Sequence, residues 1–158
     1  MERAVRPILL ATDLSPGSAP LFAVAADLAR PGAEVIALHV YTAEDYVEVQ
    51  RETGMPIDQY LANIRAEMRY QADQAGLPPS AVRYEIVEGW SVPEQILETA
   101  TRAAAALIVM GTHGRTGLRR ALMGSVAEAV VRTAATPVLV VPALALEALR
   151  AREGARAA

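Results

Sequence analysis

The chain has 158 residues, with 15 basic against 18 acidic side chains and a formal net charge of −3, which suits one domain that buries roughly 70% of its extended-chain surface without covalent staples. It contains no cysteine, so disulfides, thiolate metal sites and cysteine nucleophiles are excluded. A pI of about 5.4 argues against a dedicated nucleic-acid binder, whose domain is usually basic.

Val5 to Ala11 is an apolar run expected to form the first strand, ending at Thr12-Asp13. Ser15-Pro16 is a helix-start signal, and Leu21, Val24, Ala25 and Leu28 follow with the spacing of one helical face. That helix is expected to stop near Arg30, before Pro31-Gly32. Glu34 to Tyr41 reads as the second strand. Thr42 to Pro56 is polar and acidic with no clear period, and reads as a long connection. Ile57, Leu61, Ile64 and Met68 mark the second helix, and Val82 to Val87 alternates as an edge strand does. Ser91-Val92-Pro93-Glu94 has the pattern of a capping box and opens a third helix with Ile96, Leu97 and Ala100 inward. Ala106 to Met110 is the fourth strand, Ser125 to about Ala134 the fourth helix, and Thr136 to Val141 the fifth strand. Residues 1–142 are expected to form a single domain, with 143–158 a C-terminal helical tail that frays before Gly154.

Strands alternating with helices indicate an α/β fold around a parallel sheet. Right-handed crossovers then give an open, twisted, five-stranded sheet of order 3-2-1-4-5 with helices on both faces. Its switch point lies between strands one and four, where open α/β sheets bind ligands beyond the carboxyl ends of the strands. Asp13 and the loop that starts at Gly111 meet there, although about a hundred residues separate them in sequence.

That loop carries the strongest functional signal. Between the fourth strand and the fourth helix stand Gly111, Gly114, Gly117, Arg115, Arg119 and Arg120, then Gly124-Ser125 at the helix start. A strand, a glycine-rich basic loop and a helix N-terminus together offer backbone N–H groups to a phosphate. Ser125 is expected to cap the helix and to lend its hydroxyl. All the basic residues are arginines, so a lysine-bearing Walker loop is excluded.

Gly111-x2-Gly114-x9-Gly124-Ser125 resembles the nucleotide-binding signature of the universal stress protein family. Ala-Thr-Asp-Leu-Ser after the first strand, Leu-His-Val in the second and Thr-Pro-Val-Leu-Val-Val at the fifth are similar to that family too, and the likeness runs from residue 5 to 142. It implies a Rossmann-like, adenine nucleotide alpha hydrolase-like homodimer that binds ATP, ADP or AMP, with Mg²⁺. In that resemblance Asp13 lies near ribose and phosphates and serves as the metal ligand. The Val40 backbone pairs with the adenine edge, and Ala11, Thr12 and Met110 line the base and ribose pocket. Gly111 and Gly114 approach ribose and phosphate; Gly124, Ser125 and Val126 hold the phosphates, with Arg115 as an additional contact. Position 11 often carries Pro or Val in the family, so Ala11 implies a looser base pocket. Strand five, Val138 to Val141, implies pairing across the dimer axis.

Other residues have plainer readings. Asp13 is also a good helix N-cap. His39 sits in a buried strand and reads as structural, and His113 reads as a loop-ordering residue. Trp90, the only tryptophan, reads either as cover for the acidic connection or the nucleotide pocket, or as a surface residue. Residues 1–11 lack the apolar core of a signal peptide, and no apolar run approaches the ~18 residues of a membrane span. The expectation is a cytoplasmic protein with no membrane or nucleic-acid partner and an unidentified protein partner. Its function is then nucleotide-dependent regulation in a stress response. A weak ATPase or phosphotransferase is the first alternative, although the only positioning groups in sight are Asp13 and His113. A nucleotide-independent dimeric interaction module is the second.

Overall fold

The centre of the sheet is built from runs that are apolar on both faces, as a parallel sheet covered on both sides requires. The computed structural model describes residues 5–112 and 123–157. In chain order they form β1 (Ile8–Ala11), α1 (Pro20–Leu28), β2 (Val35–Tyr41), α2 (Ala43–Thr53) and α3 (Ile57–Gln74). A 3₁₀ turn (Pro79–Ala81), β3 (Val82–Glu88), α4 (Val92–Arg102) and β4 (Leu107–Gly111) follow, then α5 (Ser125–Thr133), β5 (Val138–Val141) and α6 (Ala143–Ala157). The five strands are all parallel, in the order β3-β2-β1-β4-β5 expected from the sequence.

Alternation along the strands sorts the core into two layers. Ile8 and Leu10 of β1, Val35 and Ala37 of β2 and Val109 of β4 pack with α1, α3 and α6. Leu9, Ile36, Leu38, Ile108 and Met110 point the other way, onto α4 and α5. Phe22, Leu9, Leu10 and Ile36 are completely buried, and each contributes about 1.5–3 kcal/mol of apolar transfer free energy. The two sheet edges differ. On β3, Arg83 reaches Glu34 at 3.4 Å and Glu85 at 3.4 Å, and Arg102 reaches Glu85 at 2.6 Å. Charges of this kind discourage strand addition. On β5, Val138, Leu139 and Val140 are half-buried and carry no charge.

Several local expectations are corrected. The polar stretch after β2 is a helix, α2, not an irregular connection. Thr42 and Asp45 form a capping box: the Asp45 N–H donates to Thr42 Oγ1 at 3.2 Å, and the Thr42 N–H donates to Asp45 Oδ2 at 2.8 Å. Gly54, at φ 71°, ends the helix in the left-handed conformation that suits glycine. The helix sets only Tyr46 and Val49 against the core and buries neither fully, so its apolar period is too short to stand out in the sequence. Ser15-Pro16 opens a turn, and α1 itself begins at Pro20. Within α1, Leu28 is exposed while Phe22, absent from the expected stripe, is fully buried. Ser91 is the N-cap of α4 but makes no side-chain capping bond, so the expected capping box is not formed. The C-terminal helix continues through Gly154 to Ala157. Of the two readings of Trp90 the surface one holds, since the residue is 100% exposed and covers neither α2 nor a cavity.

Candidate functional site

At the carboxyl end of β1 the chain turns sharply, and side chains take over the hydrogen bonding that the sheet no longer supplies. The Thr12 N–H still donates to the Leu38 carbonyl at 3.0 Å. The Thr12 hydroxyl then accepts from the Leu14 N–H at 3.1 Å and lies 3.2 Å from the Ser18 hydroxyl. Leu14 is held at φ 62°, a conformation that costs a non-glycine residue about 1–2 kcal/mol and that surrounding bonds must hold. Asp13 Oδ1 accepts from the Ser15 N–H at 3.0 Å and from its hydroxyl at 2.8 Å. Asp13 therefore closes an Asx turn and does not cap α1, whose N-cap is Ala19. Its other oxygen, Oδ2, is buried with no hydrogen-bond partner among the described residues.

His39 is buried, and its Nδ1 lies 2.9 Å from the Thr12 carbonyl. A carbonyl only accepts, so this bond requires the proton on Nδ1. The ring ties the exit of β1 to β2, which is a structural role. Along β2 the backbone alternates sides: Leu38 faces β1, and the Tyr41 carbonyl accepts from Gly89 on the β3 side at 3.0 Å. Val40 therefore faces the same side as Leu38, two residues beyond the last pairing of β1, which is Ala11 with Leu38. Its N–H and C=O point into the gap at the switch point. Next to this gap Tyr41 donates to Glu88 at 3.4 Å, and burial, reinforced by the Glu88 charge, raises its phenol above the usual value of 10.0.

On the β4 side the tie point is Thr112. Its N–H donates to the Val141 carbonyl at 3.1 Å, and its carbonyl accepts from the Gly124 N–H at 2.6 Å. Its hydroxyl accepts from the Ala143 N–H at 3.2 Å. One buried threonine thus joins the ends of β4 and β5 and the starts of α5 and α6. Gly124 is the N-cap of α5 and offers no capping side chain. Ser125 is the first helical residue rather than the cap expected from the sequence. The first N–H groups of α5 are therefore left for another acceptor.

These segments enclose a cavity of about 520 Å³. Its walls include Ala11, Thr12 and Asp13 from the β1 exit, Val40 from β2 and Met110 and Gly111 from β4, with Gly124, Ser125 and Val126 from the start of α5. Nine of the eleven residues singled out in the sequence are thus brought together. The other two, Gly114 and Arg115, lie outside the described residues, as do His113, Gly117, Arg119 and Arg120. Sequence reasoning missed Ser15, Ser18, Thr112, Asp45 and the α6 residues Leu146, Glu147 and Arg150, all of which line the same cavity. Ser15 and Ser18 were legible as turn formers after Asp13. Nothing in the sequence signals that α6 folds back over the site. Among the described residues no cluster of three or more His, Cys, Asp or Glu could hold a metal ion, so Asp13 stands as a single carboxylate.

Residues 4–142 match the universal stress protein family. The chain belongs to that family. It is 35% identical over 147 residues to a universal stress protein of Methanocaldococcus jannaschii, MJ0531, covering 89% of this chain and 84% of the relative. It is 34% identical over 143 residues to the Mycobacterium tuberculosis universal stress protein Rv2005c, covering 85% of this chain but only 44% of that relative's length. Among solved structures, hypothetical protein MJ0577 superposes with a TM-score of 0.70 at 28% identity, over 87% of this chain and 96% of the other. A universal stress protein solved in complex with cAMP superposes with a TM-score of 0.65 at 25% identity, over 89% and 98%. No helix among the described residues is long and apolar enough to cross a membrane.

Proposed function

We propose that this protein binds an adenine nucleotide, ATP, ADP or AMP, at the switch-point cavity and acts as a nucleotide-dependent regulator in a stress response. The observation that carries the reading is the convergence of Ala11, Asp13, Val40, Gly111 and Ser125, far apart in sequence, on one cavity of about 520 Å³. That volume lies within the range of small-molecule sites. The universal stress protein solved with cAMP adds support, since it shares this fold and contains an adenine nucleotide.

In this reading the Val40 N–H and C=O pair with the adenine edge, as its facing at the switch point allows. Ala11, Thr12 and Met110 bracket base and ribose. Gly111 and Gly114 allow close approach of ribose and phosphate, Ser125 and Val126 offer the unpaired first-turn N–H groups of α5 to the phosphates, and Arg115 adds a cation. Mg²⁺ fits at Asp13, because Oδ1 is occupied by Ser15 while Oδ2 is buried without a partner among the described residues. Mg²⁺ is commonly held by one or two carboxylates together with phosphate oxygens and water, and there it would neutralise phosphate charge. The half-buried, uncharged β5 edge supports a homodimer paired through Val138–Val141. We place the protein in the cytoplasm, with residues 1–142 as the nucleotide-binding unit and 143–158 as an appended tail.

Calorimetric titration of the purified protein with ATP, ADP, AMP and cAMP, with and without Mg²⁺, tests the reading. Saturable binding to one site per chain is the expected result. No heat and no rise in melting temperature at millimolar nucleotide would reject it, because a ligand that binds only the folded state must stabilise it by mass action.

A further inference from the structure

The C-terminal helix α6 turns one face to the cavity: Ala143, Leu146, Glu147 and Arg150 all line it, and their spacing stacks them along a single side of the helix. The face is anchored at its start. Ala143 is tied to Thr112 Oγ1 at 3.2 Å, and Leu146, 7% exposed, joins the core cluster that contains Leu21 and Phe22. Arg150 follows one turn beyond that anchor. It is exposed and, among the described residues, makes no ion pair.

Charge in the cavity makes this arginine informative. Asp13, Asp45 and Glu147 line the cavity as acids, and Arg150 is the one arginine among the described lining residues, His39 being buried and held to the Thr12 carbonyl. A polyphosphate entering that acidic setting needs a cation, and an arginine fork is suited to phosphate oxygens. The geometry points to Arg150 as the residue by which α6 reads the phosphates of the nucleotide, so that docking of the tail is coupled to how many phosphates the ligand carries. This inference rests on the adenine-nucleotide reading above and goes beyond it. It makes the tail part of the site, and it gives the protein a way to convert ATP against a phosphate-free adenosine into a difference in helix order.

The test compares the wild-type full chain with Arg150→Gln and Arg150→Lys. ATP and adenosine are titrated at low and high salt under the same Mg²⁺, and backbone hydrogen exchange is followed over 143–150. Loss of one charge-assisted contact corresponds to roughly a tenfold change in affinity. Arg150→Gln is therefore expected to weaken ATP about tenfold while leaving adenosine unchanged, and Arg150→Lys to retain most of the ATP affinity. ATP should slow exchange across 143–150 in the wild type and not in Arg150→Gln. Because Arg150 is exposed, the melting temperature of the free variants should match that of the wild type. Equal ATP affinity in wild type and Arg150→Gln at low salt would overturn the inference and leave the nucleotide reading intact. Equal weakening of ATP and adenosine would also overturn it, since α6 would then be only a steric cover. A wild type that binds neither ligand would reject the nucleotide reading and this inference with it.

Discussion

Between Thr12 and Ser18 the cavity wall is knitted by side-chain hydrogen bonds. Thr12 holds Leu14 and Ser18, Asp13 holds Ser15, and His39 holds the Thr12 carbonyl. The wall that α6 supplies is made differently. Among the described residues it rests on the hydrogen bond from the Ala143 N–H to Thr112, the buried Leu146 and contact with α1. The first wall has its geometry fixed before any ligand arrives, including a strained Leu14, and such preorganisation limits the ordering cost of binding. The second is a helix held to the rest of the fold by few contacts, the kind of element that can open without global unfolding. A site with one rigid and one adjustable wall can hold a common ligand core and still respond to what hangs from it.

The largest effect should come from the fixed part. Gly124 sits at φ −72° and ψ 160°, a conformation open to any residue, so Gly124→Val is expected to fold. Its side chain would fill the position where the first-turn N–H groups of α5 meet a phosphate. Nucleotide affinity should fall at least about 100-fold, at least about 2.7 kcal/mol, as read by titration, with the unliganded melting temperature little changed. Retained ATP binding in that variant would mean that the start of α5 is not the phosphate seat.

Leu146→Ala addresses the adjustable wall. Removing a buried leucine side chain costs about 2–3 kcal/mol at a site that can partly relax. If α6 docks as a separable unit, the loss should appear as faster hydrogen exchange over 143–150, while the sheet amides keep their protection. A uniform loss of protection through β1 and β4 would erase the distinction between the two walls.

Thr12→Val makes the reciprocal cut. It keeps the shape and removes the acceptor for the Leu14 N–H and the partner of Ser18. Leaving such a group unsatisfied costs about 1–3 kcal/mol, and because the turn is continuous with β1 the cost should register in the global denaturation midpoint. A variant with wild-type stability would show that the knitted turn contributes nothing to the rigidity ascribed to it.

Much of this architecture was legible because parallel strands buried on both faces announce themselves as apolar runs. Ile8-Leu9-Leu10 and Leu107 to Met110 need no period to be seen, and the strand order followed from crossover handedness. The lining of the candidate site was legible where the strand-one exit brings Asp13, and the start of α5 brings Gly124, to the cavity at the switch point. What escaped depends on contacts remote in sequence. Thr112 draws its role from Val141, Gly124 and Ala143, and Arg150 matters only because α6 folds back toward α1. The capping box expected at Ser91 shows the opposite failure, a correct N-cap position without the side-chain bond.

The stretch after β2 marks the limit of reading by periodicity, and it yields the smallest prediction. An amphipathic period is legible only where a helix buries a continuous stripe, and α2 sets only Tyr46 and Val49 against the core, neither fully buried. It is instead defined at its ends, by Thr42 with Asp45, by Glu44 and Asp45 near the positive end of the helix dipole, and by Gly54. Thr42→Ala removes the hydroxyl that accepts the Asp45 N–H, at a cost of about 1 kcal/mol. Thr42→Ser keeps that hydroxyl and should be close to neutral. The loss should be local, seen as faster exchange of α2 amides, with a nucleotide affinity within about twofold of wild type, since the core layers and the β1 exit are untouched. A larger drop in affinity would mean that Thr42 and Asp45, which both line the cavity, must be held together by the cap for the site to work, and α2 would then belong with the fixed wall.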